Sequence, residues 1–451
     1  MISYQSAVES LYALGHELHS PRKFDLAHMR TLCQALGNPQ LKFPSVLIAG
    51  TNGKGSAAAT LASILQASSH RVGLYTSPHL LRINERIVCC GQPIPDAAFA
   101  AAYQRVTRVA TALVAADQLP HPPSFFETMT AIAFDFFASS GVEIAVLEVG
   151  MGGRLDATNI VEPILSVITD IDLDHQKFLG ETIAAIAAEK AGILRRGVAA
   201  VTLPQHPEAN QVLGERITAV GALAVNAARN LPSMSPQAES LIHDLAVDGS
   251  AHEMRYPLSV LGQEVEIVSP LVGRHQLRNL ALAITAAEEL TARGFRVTPQ
   301  TIARGTRQTI WPGRFQRFAA TPQRPEIVID VAHNPAGAWA LRSTLSEQFG
   351  ERPLILLFGA MADKAVDEMA KILWPQMAHV VLTRAAGSPR ALDATALAQL
   401  AQSLGVEHSI SAAVAGGLQL AIAQARRLGP HSVVVIAGSI YLAGEAVPIL
   451  L

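Results

Sequence analysis

The sequence lacks an excess of either charge and is poor in aromatic residues. Its 451 residues include 35 basic and 37 acidic side chains, a formal net charge of −2. This balance disfavours a protein that binds nucleic acid or another polyanion through a broad basic surface, although a local phosphate site remains compatible with it. Aromatic residues make up 5% and hydrophobic residues 49% of the chain. The predicted core is therefore aliphatic, and global disorder is excluded.

Cysteines and membrane-targeting signals are also scarce. The three cysteines, Cys33, Cys89 and Cys90, have neither the number nor the spacing of a disulfide framework or a metal site. The first residues, 1–5, lack the basic and then apolar order of a signal peptide. Apolar runs such as 142–149 are too short to cross a bilayer. We therefore expect a cytoplasmic protein without a membrane or nucleic-acid partner.

Short β-branched runs alternate with longer Ala- and Leu-rich stretches along most of the chain. Val46-Leu47-Ile48 precedes 57–67, and the apolar run 164–169 precedes 183–191. Strands without polar alternation are typical of a parallel sheet buried on both faces, and strand–helix alternation favours doubly wound α/β layers. Because 451 residues exceed one ordinary core, two domains are predicted.

The alternation is interrupted near residues 232–256, which are rich in Ser, Pro, Asp and His. They predict loops or a short antiparallel excursion. A helix is predicted over 276–293, with Gly294 ending it. The predicted domains are residues 1–297, a doubly wound domain similar to a P-loop ATPase, and 298–451, a smaller Rossmann-like α/β domain.

The strongest local motif is Gly50-Thr51-Asn52-Gly53-Lys54-Gly55-Ser56, which lies between a predicted strand and a predicted helix. Its glycines allow backbone N–H groups to face phosphate oxygens, the helix N-terminus adds positive potential, and Lys54 neutralises the terminal phosphates. The spacing differs from G-x-x-x-x-G-K-[ST], because a glycine separates the lysine from the serine. The alternative is a Gly-rich turn with an incidental lysine. The order of strand, loop and helix favours a nucleoside triphosphate site.

Side chains with hard oxygen donors follow several predicted strands. Ser77 follows the run 72–75, and Glu148 follows 144–147. Four more polar residues follow 164–169, namely Asp170, Asp172, Asp174 and His175. The carboxyl ends of parallel strands meet at the ligand-binding edge of an open sheet, and the magnesium that accompanies ATP prefers oxygen ligands. A magnesium site is therefore predicted beside the phosphate loop.

These motifs and their order resemble the folylpolyglutamate synthase and dihydrofolate synthase family, a branch of the Mur-type ATP-dependent amide ligases. The resemblance extends from about Leu18 to Ala443. It rests on the phosphate loop and on Tyr75–His79, Glu148–Asn159, Leu173–His175, Glu189–Ile193, Arg278-Asn279, Trp311–Arg314, Asp330–Pro335 and Gly438–Tyr441. Family members join a pterin carboxylate to the amine of glutamate while converting ATP to ADP and phosphate. The implied cofactors are ATP and magnesium, with two ions, and a monovalent cation remains open.

The resemblance also implies roles for individual residues. Ser77 and Glu148 match ligands of one magnesium ion, and His175 matches a ligand of a second. Asn279, Arg314 and Asp330 match nucleotide contacts, and His333 matches a position near the transferred phosphate. Lys190 matches a lysine that is often carbamylated, whereas composition alone predicts a solvated lysine at a helix end.

Three segments match the pterin contacts of similar enzymes. They are Phe24-Asp25-Leu26-Ala27, Ser124-Phe125-Phe126-Glu127 and Leu155-Asp156-Ala157. Phe125 or Phe126 could stack on a flat heterocycle, although paired Phe near a helix start is more often core packing. The expected partners are small molecules, namely dihydropteroate, folates and L-glutamate, and the expected state is a monomer.

Two alternatives are less favoured. A ligase of peptidoglycan precursors carries a whole domain ahead of the ATP loop, and only about 50 residues precede Gly53 here. A regulatory nucleotide-binding switch does not need a second α/β domain with its own Arg314 and Asp330. Within the family, the run Gly152–Asn159 resembles the bifunctional bacterial form, which makes dihydrofolate and also extends folates. A monofunctional folylpolyglutamate synthase is the alternative.

Overall fold

The uninterrupted apolar runs form the buried strands of two large sheets in a computed structural model, which describes residues 2–15, 25–232 and 253–451. The chain divides into two units: the first extends to Ile310 apart from short stretches, and the second consists mainly of Trp311–Leu451. This division lies beyond the boundary expected near residue 297. The reason is that the helix Pro299–Arg307 packs on the first unit, where Ser63 Oγ donates to Gly305 O at 2.7 Å. The predicted pair of α/β folds is confirmed.

The first unit is built on a largely parallel sheet. Its strands are β1 (Ser45–Ala49), β2 (Val72–Tyr75), β3 (Ile87–Cys89), β4 (Gln92–Pro93), β5 (Ile144–Glu148), β6 (Leu165–Ile168), β7 (Ala199–Thr202) and β8 (Leu223–Asn226). Their order across the sheet is β4-β3-β2-β5-β1-β6-β7-β8, and β3 is antiparallel to both of its neighbours, β2 and β4. A separate two-stranded sheet follows, with β9 (Met254–Val260) and β10 (Gln263–Ser269).

Helices cover the strands of this sheet and bury its apolar side chains. They are α1 (Tyr4–Ala13), α2 (Leu26–Ala35), α3 (Lys54–Ala67), α4 (Asp96–Ala115), α5 (Phe125–Ser139), α6 (Gln176–Leu179), α7 (Ile183–Lys190), α8 (Pro207–Val220), α9 (Arg274–Thr291) and α10 (Pro299–Arg307). The predicted long helix is α9, displaced by two residues. Within the described ranges, no helix combines the length and apolarity needed to cross a bilayer.

The second unit has a smaller sheet in which β11 alone is antiparallel to its neighbour. Its strands are β11 (Gln316–Phe318), β12 (Glu326–Ile329), β13 (Leu354–Phe358), β14 (His379–Leu382), β15 (His408–Ile410) and β16 (Val433–Ala437). Their order is β11-β12-β16-β13-β14-β15. Its helices are α11 (Pro335–Phe349), α12 (Val366–Leu373), α13 (Ala394–Ser403), α14 (Val414–Leu428) and α15 (Ile440–Leu450).

The position of β1 determines where a ligand can bind in the first unit. This strand is buried along its whole length and lies between β5 and β6, with Ile48 paired to Glu148 and Ala49 paired to Ile168. After β1 the chain forms β2 and β5 on one side of this strand and then crosses over to form β6 on its other side. The direction in which strands are added therefore reverses at β1. The crevice at such a reversal, at the carboxyl ends of the strands, is the usual ligand site of an open α/β sheet.

Candidate active site

The phosphate loop leaves β1 at this reversal and leads directly into α3. Gly50 lies against β6, because a Cβ atom there would stand 1.8 Å from Thr169 Oγ1. Gly53 has a positive φ of 86° at the helix N-terminus, and a Cβ atom on it would stand 2.1 Å from Asn279 Oδ1. Neither position can therefore carry a side chain without rearrangement. The structure thus brings Asn279, which is 4% exposed, onto the loop.

A backbone carbonyl holds the first half of the loop. The amides of Thr51 and Asn52 donate to Asp170 O at 2.8 and 3.2 Å. The Asp170 carboxylate in turn accepts from Arg278, with Nη2 2.6 Å from Oδ1 and Nε 2.9 Å from Oδ2. Planar pairing of this kind fixes orientation as well as charge. Asp170 is therefore an anchor for the loop, and Arg278 is a residue whose part the sequence did not predict.

Two lysines meet at the start of the loop. Lys54 Nζ donates to Gly50 O at 3.0 Å and to Thr51 O at 3.2 Å, and Lys190 Nζ donates to the same Gly50 O at 2.7 Å. Lys190, at the end of α7, is only 3% exposed, so the solvated helix-end lysine that composition predicts is wrong. Burial and then the charge of Lys54 hold the pKa of Lys190 well below its ordinary value, and Asp174 and Asp156 oppose this only partly.

The predicted metal residues lie at the ends of neighbouring strands. The Ser77 amide donates to Glu148 Oε2 at 3.0 Å, and Glu148 is 4% exposed at the end of β5. His175 precedes α6 in a left-handed conformation, with Nε2 3.9 Å from Asp174 Oδ2. In the part of the chain that the structure describes, no three His, Cys, Asp or Glu side chains converge as metal ligands. The serine hydroxyl and the carboxylate nevertheless supply the hard oxygen donors that magnesium prefers.

A cavity of about 470 Å³ lies in the first unit beside the loop that follows β5. Nine of the predicted pterin residues line it, namely Asp25, Leu26, Ala27, Ser124, Phe126, Glu127, Leu155, Asp156 and Ala157. Phe126 lies against Gly150, where a Cβ atom would stand 2.6 Å from the ring. Segments far apart in sequence thus form one site of the size that a small ligand requires.

The two remaining pterin candidates differ from this group. The Phe125 ring is 4% exposed, stacks on Tyr12 at 5.7 Å between centroids and has the Arg86 guanidinium 5.0 Å above its centroid. Phe125 therefore packs in the core, and of the two neighbouring rings only Phe126 lines the cavity. For Phe125 the structure thus fits the alternative of core packing, and a pterin contact by this residue stays a prediction. Phe24 lies outside the described residues.

Asp156 holds the loop that forms one wall of the cavity. Its Oδ2 accepts the amides of Gly150 and Met151 at 3.0 and 3.1 Å, and its Oδ1 accepts the Thr158 amide at 3.0 Å and the Thr158 hydroxyl at 2.5 Å. Both carboxylate oxygens are engaged within the loop, and the residue is 6% exposed. Asp156 therefore determines the shape of this wall.

The cavity wall is continuous with the phosphate loop through the end of α7. The Arg154 amide donates to Glu189 O at 2.8 Å, and the Arg154 guanidinium pairs with Glu189 Oε1 at 2.9 Å. A Cβ atom on Gly153 would stand 3.0 Å from Lys190 O, and Lys190 Nζ contacts Gly50 O. Glu189, which lines the cavity, is therefore adjacent in sequence to Lys190, which contacts the phosphate loop.

In the second unit, Asp330 organises the remaining candidates. Its Oδ2 accepts the Phe315 amide at 2.9 Å, and its Oδ1 accepts the Ala332 amide at 2.8 Å. Burial raises the pKa of Asp330, and the charge of Arg314 and these two amides only partly offset it. His333 Nδ1 donates to Val331 O at 2.9 Å. Asp330 thus holds the turn that carries Arg314 beside the turn that carries His333.

Comparison with known proteins identifies the family. The family described as Mur ligase middle domain matches residues 99–287, and the one described as Mur ligase, glutamate ligase domain matches 313–440. The folylpolyglutamate synthase of Lacticaseibacillus casei is 37% identical over 420 residues, which cover 93% of this chain and 92% of the relative. The chain belongs to the folylpolyglutamate synthase and dihydrofolate synthase family. It is an ATP-dependent ligase of the Mur type.

Two further relatives are similar to this ligase over most of its length. A Mycobacterium tuberculosis protein named dihydrofolate synthase/folylpolyglutamate synthase is 36% identical, over 83% of this chain and 76% of the relative. The structure of Escherichia coli FolC in complex with DHPP and ADP has a TM-score of 0.83 and 28% identity, and the match covers 100% of this chain and 99% of that one. The resemblance that the motifs carry is therefore confirmed at the level of the family and the fold.

Proposed function

We propose that the chain joins the carboxylate of a pterin substrate to the amine of L-glutamate and converts ATP to ADP and phosphate. The observation that carries this proposal is the continuity of the cavity wall with the phosphate loop through Arg154, Glu189 and Lys190. A carboxylate held in the cavity can then reach a phosphate held on the loop. The E. coli FolC relative binds DHPP together with ADP, which supports this pairing of ligands.

The proposed reaction has two steps. First, a substrate carboxylate oxygen attacks the terminal phosphorus of ATP, which forms an acyl phosphate and releases ADP. The glutamate amine then attacks the acyl carbon, the carbon–oxygen bond to phosphate breaks, and a proton leaves the nitrogen. Phosphoryl transfer of this type depends on positioning and charge neutralisation rather than on covalent work by the protein. Gly50–Ser56 and Asn279 hold the nucleotide, and Lys54 neutralises its terminal phosphates.

Magnesium fits the first unit because Ser77 and the buried Glu148 present hard oxygen donors at adjacent strand ends. When bound there, the ion neutralises the charge that develops on the phosphates. His175, beside Asp174, is the candidate for a second ion. In the second unit, Arg314, Asp330 and His333 are proposed to serve the nucleotide, with Asp330 acting through the turns that it holds.

Lys190 is proposed to be carbamylated. A neutral amine adds to carbon dioxide, forming an N–C bond and losing a proton to give a carbamate. The depressed pKa of Lys190 provides the neutral amine, and the adjacent Lys54 ammonium provides a partner for the product's negative charge. Conversion to a carbamate would also end the repulsion between the two lysines.

We further propose that the enzyme is bifunctional and acts on dihydropteroate and on reduced folates. The M. tuberculosis relative is named for both activities, whereas the L. casei relative, with higher identity, is named for folylpolyglutamate synthesis alone. A monofunctional enzyme is therefore the second candidate. Purified protein should release ADP only when glutamate and a pterin acceptor are both present. If tetrahydrofolate supports ADP release and dihydropteroate does not, the enzyme is the monofunctional form.

The proposed location is the cytoplasm. Cys33, Cys89 and Cys90 are free thiols in the structure, which suits a reducing compartment. The proposed partners are the small-molecule substrates.

A further inference from the structure

His28 lies on α2 in the wall of the pterin cavity, and both of its ring nitrogens face acceptors. Nδ1 is 2.9 Å from Glu127 Oε1, and Nε2 is 3.0 Å from His121 O. The residue is 8% exposed, so water does not replace these partners readily. The His121 ring packs over it at 4.6 Å between centroids.

These two partners determine the protonation state of the ring. A backbone carbonyl can only accept, so Nε2 must carry a hydrogen. A neutral ring would then turn the lone pair of Nδ1 toward the Glu127 carboxylate, and only the imidazolium donates to both. The carboxylate is ionised in this setting, because the His28 hydrogen bond and the Ser124 amide lower the pKa of Glu127 against the opposing effect of burial.

The charged groups that face His28 agree with this geometry. Glu127 contributes most, Asp25 adds a weaker favourable charge, and His121 contributes its carbonyl oxygen. The hydrogen bond with Glu127 raises the pKa of His28 above the ordinary 6.5, although burial opposes it. The direction of this shift favours the charged ring, in agreement with the two acceptors that face it.

His28 connects three segments that line the cavity. It is itself part of α2, which follows Asp25 and supplies Leu26 and Ala27 to the wall. Glu127 belongs to the first turn of α5, beside Ser124 and Phe126, and His121 ends the segment 118–121. Loss of the Nδ1 proton removes the hydrogen bond to Glu127 and separates α5 from the other two segments.

We infer that His28 is a positioning residue that acts as a doubly protonated cation and holds three walls of the pterin cavity in register. This inference rests on the proposed function for its effect on catalysis, and on the structure alone for the charge of the ring. The consequence is a pterin affinity that falls as the pH rises through the pKa of folded His28, while nucleotide affinity does not follow the same titration.

The test compares His28→Gln with wild type and with His28→Arg. Glutamine lacks the charge and has a single donor nitrogen in place of the two ring nitrogens, so the KM for the pterin should rise about tenfold, while kcat and the KM for ATP stay within about twofold. In wild type the pterin KM should rise at alkaline pH. His28→Arg keeps a permanent charge with several donors and should flatten this dependence. His431→Gln, at an exposed position in the second unit, is the matched control.

A second measurement does not depend on ligase activity. Histidine NMR signals should include one that is lost in His28→Gln and titrates above pH 6.5. The charge of His28 should also stabilise the fold in a pH-dependent way. Because its pKa is raised on folding, this stabilisation is complete below the pKa of unfolded histidine and is lost as the pH rises through the pKa of folded His28. A His28 signal that titrates at or below 6.5, or a pterin KM equal to wild type in His28→Gln, overturns the inference. Absence of ligation in the wild type and in every variant overturns the proposed function. The NMR titration then still decides whether the His28 ring is charged.

Discussion

At the scale of single residues, the phosphate loop of this family member depends on two cations that share one carbonyl. Lys54 and Lys190 both donate to Gly50 O, yet only Lys190 is fully buried. Lys54 is partly exposed and suits a role toward phosphate. Lys190 is enclosed by the loop, by Lys54 and by the cavity wall. The two lysines are therefore expected to differ in chemistry as well as in exposure.

Lys54→Ala should lower turnover by at least about a hundredfold, because an electrostatic contact to the reacting phosphates is lost. The fold should persist, since the hydrogen bonds of Lys54 to Gly50 O and Thr51 O lie within its own loop. Steady-state ligation and the thermal unfolding midpoint measure the two effects. Near-normal ligation by Lys54→Ala would refute the assignment of the phosphate loop.

Glu148→Gln should reduce turnover by about a hundredfold, and extra magnesium should restore it only in part, because a neutral amide is a weaker ligand than a carboxylate. The amide oxygen can still accept the Ser77 amide, so the strand ends should keep their positions. A magnesium titration of the variant measures this. Full activity at ordinary magnesium would remove Glu148 from the metal site.

Lys190→Ala should be impaired by more than about tenfold and partly rescued by acetate or formate, which replace the carboxylate of a carbamate. Wild-type activity should fall when bicarbonate and dissolved carbon dioxide are rigorously removed. Lys54→Ala, tested with the same acids, is the matched control and should show no rescue. A fully active Lys190→Ala enzyme would contradict the proposal.

At the scale of elements, the loop after β5 is held by the side chain that caps the short 3-10 helix Ala157–Ile160. Asp156 accepts four hydrogen bonds from Gly150, Met151 and Thr158. Arg154, which lies between Met151 and Asp156 in the same loop, contacts the end of α7. The loop is thus connected by hydrogen bonds to the end of α7, which carries both Glu189 of the cavity wall and Lys190.

Asp156→Ala should lower dihydropteroate ligation more than tetrahydrofolate extension, because the shorter substrate has fewer other anchoring groups. The variant should also lose about 1–3 kcal/mol of unfolding free energy, since buried amides lose their acceptor. Parallel KM measurements with both acceptors and a urea titration test this. Equal losses with both acceptors would indicate a role in loop structure alone.

At the scale of the whole molecule, the two units differ in what their strand ends carry. The first unit has the phosphate loop, the oxygen donors and the cavity on the carboxyl ends of its strands. The second has Arg314 just before β11, and Asp330 and His333 just after β12. Both sheets are buried by helices and do not depend on a metal for their cores.

Removal of magnesium by a chelator should therefore abolish ligation without unfolding either unit. Far-UV circular dichroism and the unfolding midpoint should change little, since the buried apolar side chains supply the stability. Added magnesium should restore activity. Unfolding on chelation would show that the metal is structural and would contradict this assignment.

The sequence by itself determined several buried strands, the long helix α9 and the motifs that mark the family. The predicted strand over 72–75 coincides with β2, and those over 144–147 and 164–169 overlap β5 and β6, because a run of buried aliphatic residues has few alternatives to a central strand. The order of the motifs likewise identified the family, since each depends on local residue types. The resemblance, rather than any local pattern, suggested the three proposed pterin segments.

Only the tertiary structure decided contacts between residues distant in the chain. Phe125 and Phe126 are adjacent in sequence, yet one packs in the core and the other lines the cavity, because successive helix positions point in different directions. The burial of Lys190 against Gly50 and the position of His28 between Glu127 and His121 both arise from packing of separate elements. Contacts between residues distant in the chain leave no periodic pattern in a single sequence. The burial of Lys190 and the surroundings of His28 are therefore defined only once the chain is folded.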